Sequence, residues 1–187
     1  IDLARVRAAF EAVPWVRHAV VRRDFPSRLM VTLQEHQAVA YWGSESEPRL
    51  INSFGEVFEA NVDEVEQDTL PRLNGPEGQA ADVLAMYHVL APLFAQLELP
   101  VEALDLSSGG SWRVELESGA NIEMGRGSVA EITARVRRFL KTLTQVTSRY
   151  GRRANAVESA DLRHENGYAI RLAGVSTTVA TVAVPKK

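Results

Sequence analysis

The sequence predicts an α+β protein in which a mainly antiparallel sheet carries two long helices on one face. Short apolar segments with period-two alternation outnumber the helical ones, and tight turns join several of them. Two longer stretches instead show the apolar spacing of a helix. The 187 residues suit one large domain, or a small one joined to a medium one, and the 45% hydrophobic content provides a core of ordinary size.

Composition excludes several classes of function. The net charge of −3 and the pI near 5.9 give no reason to expect a nucleic-acid partner. Without cysteine the chain forms no disulfide, thiolate metal site or thiol nucleophile. No apolar run approaches the roughly 18 residues that a membrane span requires. Because the chain begins without methionine at a predicted helix start, we expect a fragment of a longer protein, which leaves open an anchor or a signal upstream.

The first segment predicts a short helix followed by a hairpin. Asp2 can cap the helix, and strands are expected at 18–23 and 29–35. The apolar side of the helix has three- and four-residue spacing: Leu3, Val6, Ala9, Phe10 and Val13. The second strand alternates as a half-buried strand does. One helix and one hairpin are too little to fold alone, so residues 1–37 are expected to be the second half of a small α/β module.

The middle of the chain predicts short strands and one long helix. Strands are expected at 38–42, 49–51, 57–60, 101–106, 112–117 and 120–124, and the acidic run 62–68 is expected to be a solvated loop. The helix is expected at 79–97. Pro92 removes one of its backbone hydrogen bonds, so a kink or an early end is predicted there.

The second long helix is the clearest helical pattern. Ser128 and Glu131 have the spacing of a capping box, and Gly151 provides a C-terminal stop after Tyr150. Its apolar stripe consists of Ile132, Val136, Phe139, Leu140, Leu143 and Val146.

A hairpin is predicted at 161–172, with Asn166-Gly167 at its turn. A two-residue loop would mix charged and apolar residues on both faces. A three-residue loop at 165–167 pairs Leu162 with Ile170 and Asp161 with Arg171, separates the faces and requires positive φ at Gly167. We favour the second alternative. Few elements follow, although 175–184 could add one more edge strand, so the hairpin is expected near a sheet edge, where unpaired backbone groups can bind another chain.

No residue pattern predicts catalysis, a metal site or a cofactor. The four histidines lack metal-ligand spacing, and nucleophile elbows, Walker loops and dinucleotide fingerprints are absent. Glu115 and Glu117 share one face of an amphipathic strand, which is typical of a solvated surface. Gly125-Arg126-Gly127 precedes a helix and could hold an anion or a glycan, but a glycine turn capped by Ser128 is the simpler interpretation.

Three groups of residues together resemble the FtsQ/DivIB family of bacterial cell-division proteins. They are Val13–His36 continuing into Ala38–Trp42; Leu50–Phe58; and the set Trp112–Leu116, Met124–Gly127 and Asp161–Arg171. Their order and separation match over nearly the whole chain.

The resemblance implies the extracytoplasmic part of a single-pass inner-membrane protein at the division septum, with this part in the periplasm. Residues 1–37 would be the C-terminal half of a POTRA domain and residues 38–187 an FtsQ-type β domain. Such proteins are non-enzymatic divisome scaffolds that bind FtsB and FtsL partners through a C-terminal sheet edge and help to regulate septal peptidoglycan synthesis. Other divisome proteins would bind through the POTRA part.

Carried over by position, the partner-binding edge comprises Arg163, His164, Glu165, Asn166, Gly167, Tyr168, Ala169, Ile170, Arg171 and Leu172. The best-known members of the family have Tyr at the position of His164 and an aromatic residue at that of Leu172. They also have a second Arg where this chain has Gly109, so Arg163 would pair with an acidic partner residue alone or with help from another residue. A transporter-associated POTRA protein that handles extended polypeptides is a further alternative.

Overall fold

The computed structural model describes residues 1–44, 46–47, 49–62, 65 and 70–175, which form two sheets and three α-helices. Helix α1 (Leu3–Glu11) precedes a two-stranded antiparallel sheet of β1 (Val16–Asp24) and β2 (Arg28–Glu35). The remaining strands form one nine-stranded sheet: β3 (Ala38–Trp42), β4 (Arg49–Asn52), β5 (Val57–Phe58), β6 (Arg72–Asn74), β7 (Val101–Leu106), β8 (Trp112–Leu116), β9 (Asn121–Gly125), β10 (Val157–Asp161) and β11 (Ala169–Leu172). The long helices are α2 (Ala80–Ala95) and α3 (Val129–Ser148).

The nine strands follow the order β11-β10-β9-β8-β7-β6-β3-β4-β5. Five of the eight neighbouring pairs are antiparallel and three are parallel. Helices α2 and α3 are the crossovers between the parallel neighbours β6/β7 and β9/β10, which need such a long connection. They also contact each other, so both lie on the same face of the sheet. The predicted α+β class with two helices on one face is confirmed.

One apolar core joins the helices to the sheet. In β8, the side chains of Trp112, Val114 and Leu116 are buried, whereas those between them are not. Helix α3 buries Ile132, Val136, Phe139, Leu143 and Thr147. Its capping box is formed as predicted: the Ser128 amide donates to the Glu131 carboxylate (2.7 Å) and the Glu131 amide donates to Ser128 Oγ (3.3 Å). Asp2 caps α1 in the predicted way.

Three predictions for the helices and strands were wrong. Helix α2 does not end at Pro92 but continues to Ala95, because Pro92 lies in its last turn and removes only the donor for the carbonyl of His88. The alternative of a kink at Pro92 stays a prediction. Strand β6 was missed; it is only three residues long and is held between two parallel neighbours. Strand β2 is exposed rather than half-buried, since α1 packs on β1 and nothing in the described part of the chain covers the Leu33 side chain, which is 42% exposed.

The two sheets meet at a polar and aromatic junction beside β5. The Arg17 guanidinium donates to both carboxylate oxygens of Glu56 (2.7 and 3.0 Å). Buried Asn52 donates to that carboxylate (2.7 Å) and hydrogen-bonds His36 (2.9 Å), whose ring stacks on Phe58. Hydrogen bonds from Arg17 and then Asn52 lower the pKa of Glu56 to about 2, because they stabilise the ionised carboxylate.

Two expectations concern segments that lie largely outside the described residues. Of the predicted acidic loop at 62–68, the structure describes only residues 62 and 65. Of the additional edge strand suggested for 175–184, it describes only Val175. None of the described helices has the length and apolar character needed to cross a membrane.

Candidate functional site

Strand β11 forms one end of the nine-stranded sheet, where it pairs only with β10 among the described strands. The register places Asp161 opposite Ala169, Ala160 opposite Ile170, and Ser159 opposite Arg171. The predicted location of the hairpin at a sheet edge therefore agrees with the described part of the fold.

The predicted pairing within the hairpin was wrong, because the connection spans residues 162–168 instead of 165–167. Leu162 is buried and its amide donates to the carbonyl of Glu123 (2.8 Å), so the chain follows β9 beyond Asp161 instead of turning to β11. The Asp161 carboxylate accepts the Arg163 amide (3.0 Å) and begins the turn. Gly167 does not adopt the expected positive φ.

Within the described residues, the outer side of β11 presents unpaired backbone groups. The Ala173 amide donates to the carbonyl of Ala156 on the β10 side (2.8 Å). Because backbone direction alternates along a strand, Arg171 also faces β10, whereas the amides of Ile170 and Leu172 point to the open side. The carbonyl of Leu172 accepts the Val175 amide (3.2 Å). In the part of the chain that the structure describes, the open side therefore presents two amides and the carbonyl of Ile170 to a further strand.

The side chains of β11 separate into two faces. Tyr168, Ile170 and Leu172 contact the core beside α3, whereas Ala169 and Arg171 are exposed. The Arg171 guanidinium lies 3.0 Å from the Glu158 carboxylate instead of pairing with Asp161 as the three-residue loop predicted. The separation of faces is as expected, although the register that produces it is different.

Helix α3 holds the connection 162–168 in place. The Arg138 guanidinium donates to the carbonyls of Glu165 (2.7 Å) and His164 (3.2 Å). The hydroxyls of Thr142 and Tyr168 are 2.7 Å apart, and the Tyr168 ring packs edge-to-face on Phe139 with ring centroids 5.0 Å apart. Sequence reasoning missed Arg138 and Thr142, since the flank of a helix looks like a solvated surface until its neighbour is known.

Arg163 already has an acidic partner within the chain. Its guanidinium donates to both oxygens of Asp161 (2.8 and 2.6 Å), and this interaction lowers the pKa of Asp161 to about 2. The side chain crosses Gly125, where a Cβ would stand 2.8 Å from the Arg163 Cγ, so any larger residue there would force the Arg163 side chain to shift. A Cβ on Gly109 would lie 3.2 Å from a guanidinium nitrogen of Arg126, which therefore occupies the space beside that glycine. Of the other predicted loop residues, His164, Glu165 and Asn166 are exposed and Gly167 is half-buried.

The anion-binding alternative at Gly125-Arg126-Gly127 has little support in this geometry. The Ser128 amide that an anion would use is bound by the Glu131 carboxylate. The Arg135 guanidinium donates to the carbonyls of Met124 (2.9 Å) and Arg126 (2.6 Å), so it holds the turn together. Among the residues with described positions, no three His, Asp or Glu side chains are grouped to hold a metal ion.

Comparisons with known proteins agree with this architecture. The family "Cell division protein FtsQ/DivIB, C-terminal" matches residues 40–163, and "POTRA domain, FtsQ-type" matches residues 1–36. Strand β11 lies beyond the first match.

Relatives named cell division protein FtsQ align with most of the chain. That of Thiomonas arsenitoxydans is 42% identical over 94% of this chain and 64% of its own length. Those of Burkholderia pseudomallei (40% identical) and Bordetella pertussis (39%) align with 94% and 92% of this chain, and with 68% and 66% of their own lengths. The chain thus spans about two thirds of these relatives, and it belongs to the FtsQ/DivIB family of cell division proteins.

Proposed function

We propose that this chain is the extracytoplasmic part of a non-enzymatic divisome scaffold that binds FtsB- and FtsL-type proteins by accepting a strand at the outer edge of β11. Through these partners it helps to regulate septal peptidoglycan synthesis. The backbone groups of Ile170 and Leu172, which have no partner strand among residues 1–175 where the structure describes them, carry the proposal, since an added strand needs an alternating row of such donors and acceptors. The full-length protein would span the inner membrane once, by a segment outside this chain, with this part in the periplasm at the septum.

The two parts of the chain have different roles in this proposal. Residues 1–37 are the C-terminal half of a POTRA domain that binds other divisome proteins, and residues 38–187 are the β domain that binds FtsB and FtsL. The junction around Glu56 fixes the orientation of one part relative to the other, because Arg17 and His36 contact it from the first part.

The ten candidate residues contribute in different ways. The strand residues Ala169, Ile170, Arg171 and Leu172 supply backbone pairing. The exposed side chains of Arg163, His164, Glu165 and Asn166 contact the partner beside the strand end, whereas half-buried Gly167 and Tyr168 shape the loop.

Arg163 is already paired with Asp161. It therefore binds an acidic partner residue either by contacting both carboxylates at once or by leaving Asp161 for the carboxylate of the partner. Arg126, whose guanidinium lies beside Gly109, is placed to supply a second cation. The exchange replaces one charged pair by another, so it selects for an acidic residue at that point of the partner more than it adds affinity.

The test compares two substitutions at Ile170 in the 187-residue chain, with the extracytoplasmic fragments of the FtsB and FtsL proteins of the same bacterium as ligands. Ile170→Ala removes the side chain and keeps the amide. Ile170→Pro also removes the outward-pointing donor without touching a bond to β10. We expect Ile170→Pro to bind about tenfold or more weakly than Ile170→Ala, since it loses a hydrogen bond and places a ring at the edge.

Circular dichroism and thermal unfolding of both variants establish that each remains folded. Equal affinities of the two folded variants would contradict strand addition at β11. Arg171→Pro is the positive control for damage to the sheet. The Arg171 amide faces β10, so replacing it by proline removes a bond within the sheet and should lower the stability of the chain.

A further inference from the structure

Positive charge is concentrated in one segment of this acidic chain. Residues 126–153 contain eight arginines and lysines and a single carboxylate, that of Glu131. The segment therefore has a net charge of +7 against −3 for the whole chain, so the other residues together carry −10.

Helix α3 arranges much of this charge along one exposed stripe. The helix turns its buried residues toward the sheet. Its opposite side carries the exposed side chains of the cationic stripe, which are Arg137, Arg138, Lys141 and, at the C-cap just after the helix, Arg149. No described carboxylate forms an ion pair with any of the four. Arg137 and Lys141 are one turn apart, where like charges destabilise a helix.

Two arginines of the nine-stranded sheet have acidic partners nearby. Arg72 pairs with Glu102 (3.3 Å) and lies near Glu115, and Arg113 pairs with Glu123 (3.8 Å). The four cations of the stripe have no such partner among the described residues, so an external anion would reduce their mutual repulsion.

The position of the stripe indicates which kind of anion would bind to it. Arg138 donates to the carbonyls of His164 and Glu165, so the stripe begins at the connection that leads into β11. From there it runs along α3 to Arg149, which is about 17 Å at 1.5 Å per residue. Residues that flank such an added strand at its Ala169 end would therefore lie next to Arg138, where the stripe begins.

We propose that the cationic stripe of α3 is a second docking surface, which binds an acidic segment of the same polypeptide that adds a strand to β11. This inference rests on the proposed function. Carboxylate side chains suit the stripe because guanidinium groups bind them through two parallel hydrogen bonds. About five extended residues, or three helical turns, match its length.

The experiment uses the 187-residue chain and the FtsB-type fragment that tests the edge. Arg137→Glu combined with Lys141→Glu reverses two charges of the stripe and leaves Arg138 on the loop. Arg22→Glu combined with Arg28→Glu is the matched control, since both arginines are exposed on the two-stranded sheet. Affinity is measured at low and physiological salt, about 0.02 and 0.15 M.

The stripe variant is expected to bind roughly tenfold more weakly at low salt, since each reversal removes an attraction and adds a repulsion. Its affinity should also depend less on salt, while the control variant binds as the parent chain does. In a second fragment, the acidic residues that flank the edge-binding strand are replaced by the corresponding amides. This fragment should bind the parent chain about as weakly as the stripe variant binds the original fragment. The replacement should reduce the affinity for the stripe variant little further.

Unchanged affinity of the stripe variant, combined with the loss caused by Ile170→Pro, would overturn the second docking surface and leave the edge intact. If Ile170→Pro also bound normally, the proposed function itself would fail. Two other results would also overturn the inference, if the stripe variant binds the fragment normally. Loss of binding to vesicles containing phosphatidylglycerol in the stripe variant would show that the stripe binds a lipid surface. Loss of self-association in that variant would show that the stripe binds a second copy of the chain.

Discussion

The hydrogen bond between Thr142 and Tyr168 provides a quantitative test of how the connection into β11 is held. Thr142→Val and Tyr168→Phe each remove one hydroxyl and keep nearly the same shape, so the Tyr168 ring still packs on Phe139. The two hydroxyls are 2.7 Å apart and partly buried, so each substitution should lower the free energy of unfolding by about 1 kcal/mol.

The double variant should lose less than the sum of the two losses, because the bond between the hydroxyls is broken in each case, whereas the bond from Thr142 to the carbonyl of Arg138 (3.1 Å) is lost only with Thr142→Val. The coupling energy is obtained from urea unfolding of the parent chain, both single variants and the double variant. Thr144→Val is the matched control, since Thr144 is exposed two residues further along α3. A coupling energy between Thr142 and Tyr168 no larger than the additivity error of about 0.3–0.5 kcal/mol would mean that the two hydroxyls do not interact, and it would refute this description of the loop.

Further predictions concern the turn at Gly125, the junction at Glu56 and the core. Gly125→Ala should lower the free energy of unfolding by about 1–3 kcal/mol, measured by thermal unfolding, because φ is +77° and the new Cβ would meet Arg163. Folding lowers the pKa of Glu56 from 4.5 to about 2, so its stabilisation is complete above pH 4.5 and is lost as the pH falls toward 2. Acid unfolding of Glu56→Gln should therefore show a shallower dependence on pH in that window, and an identical curve would contradict the pairing with Arg17. Leu143→Ala should cost about 2–5 kcal/mol in urea unfolding, as Leu143 is fully buried.

The helices were predictable because their signals are local. The capping box of α3 occurs as predicted, and four of the six residues of its predicted apolar stripe are buried, because both signals lie within one stretch of sequence. Strands β7, β8 and β9 were also found, since alternation and tight turns define them. Strand β6 could not be found in this way, because three residues between parallel neighbours carry no alternation.

The hairpin at the candidate site shows the limit of local reasoning. The residues Asn166-Gly167 favour a tight turn, but the bond from the Leu162 amide to Glu123 depends on a strand some forty residues earlier in the chain. That bond keeps the chain beside β9 and makes the connection longer. The edge position of β11 was predictable from the few elements that follow it, whereas the support by Arg138 depends on where α3 crosses the sheet.

Hydrogen exchange at the amides of Ile170 and Leu172 tests the central claim most directly. In the free chain both should exchange fast, because they point away from β10, while the Arg171 amide is protected. Binding of the FtsB-type fragment should protect Ile170 and Leu172 and leave Arg171 unchanged. Slow exchange of the two amides in the free chain, or fast exchange in the saturated complex, would contradict strand addition at β11.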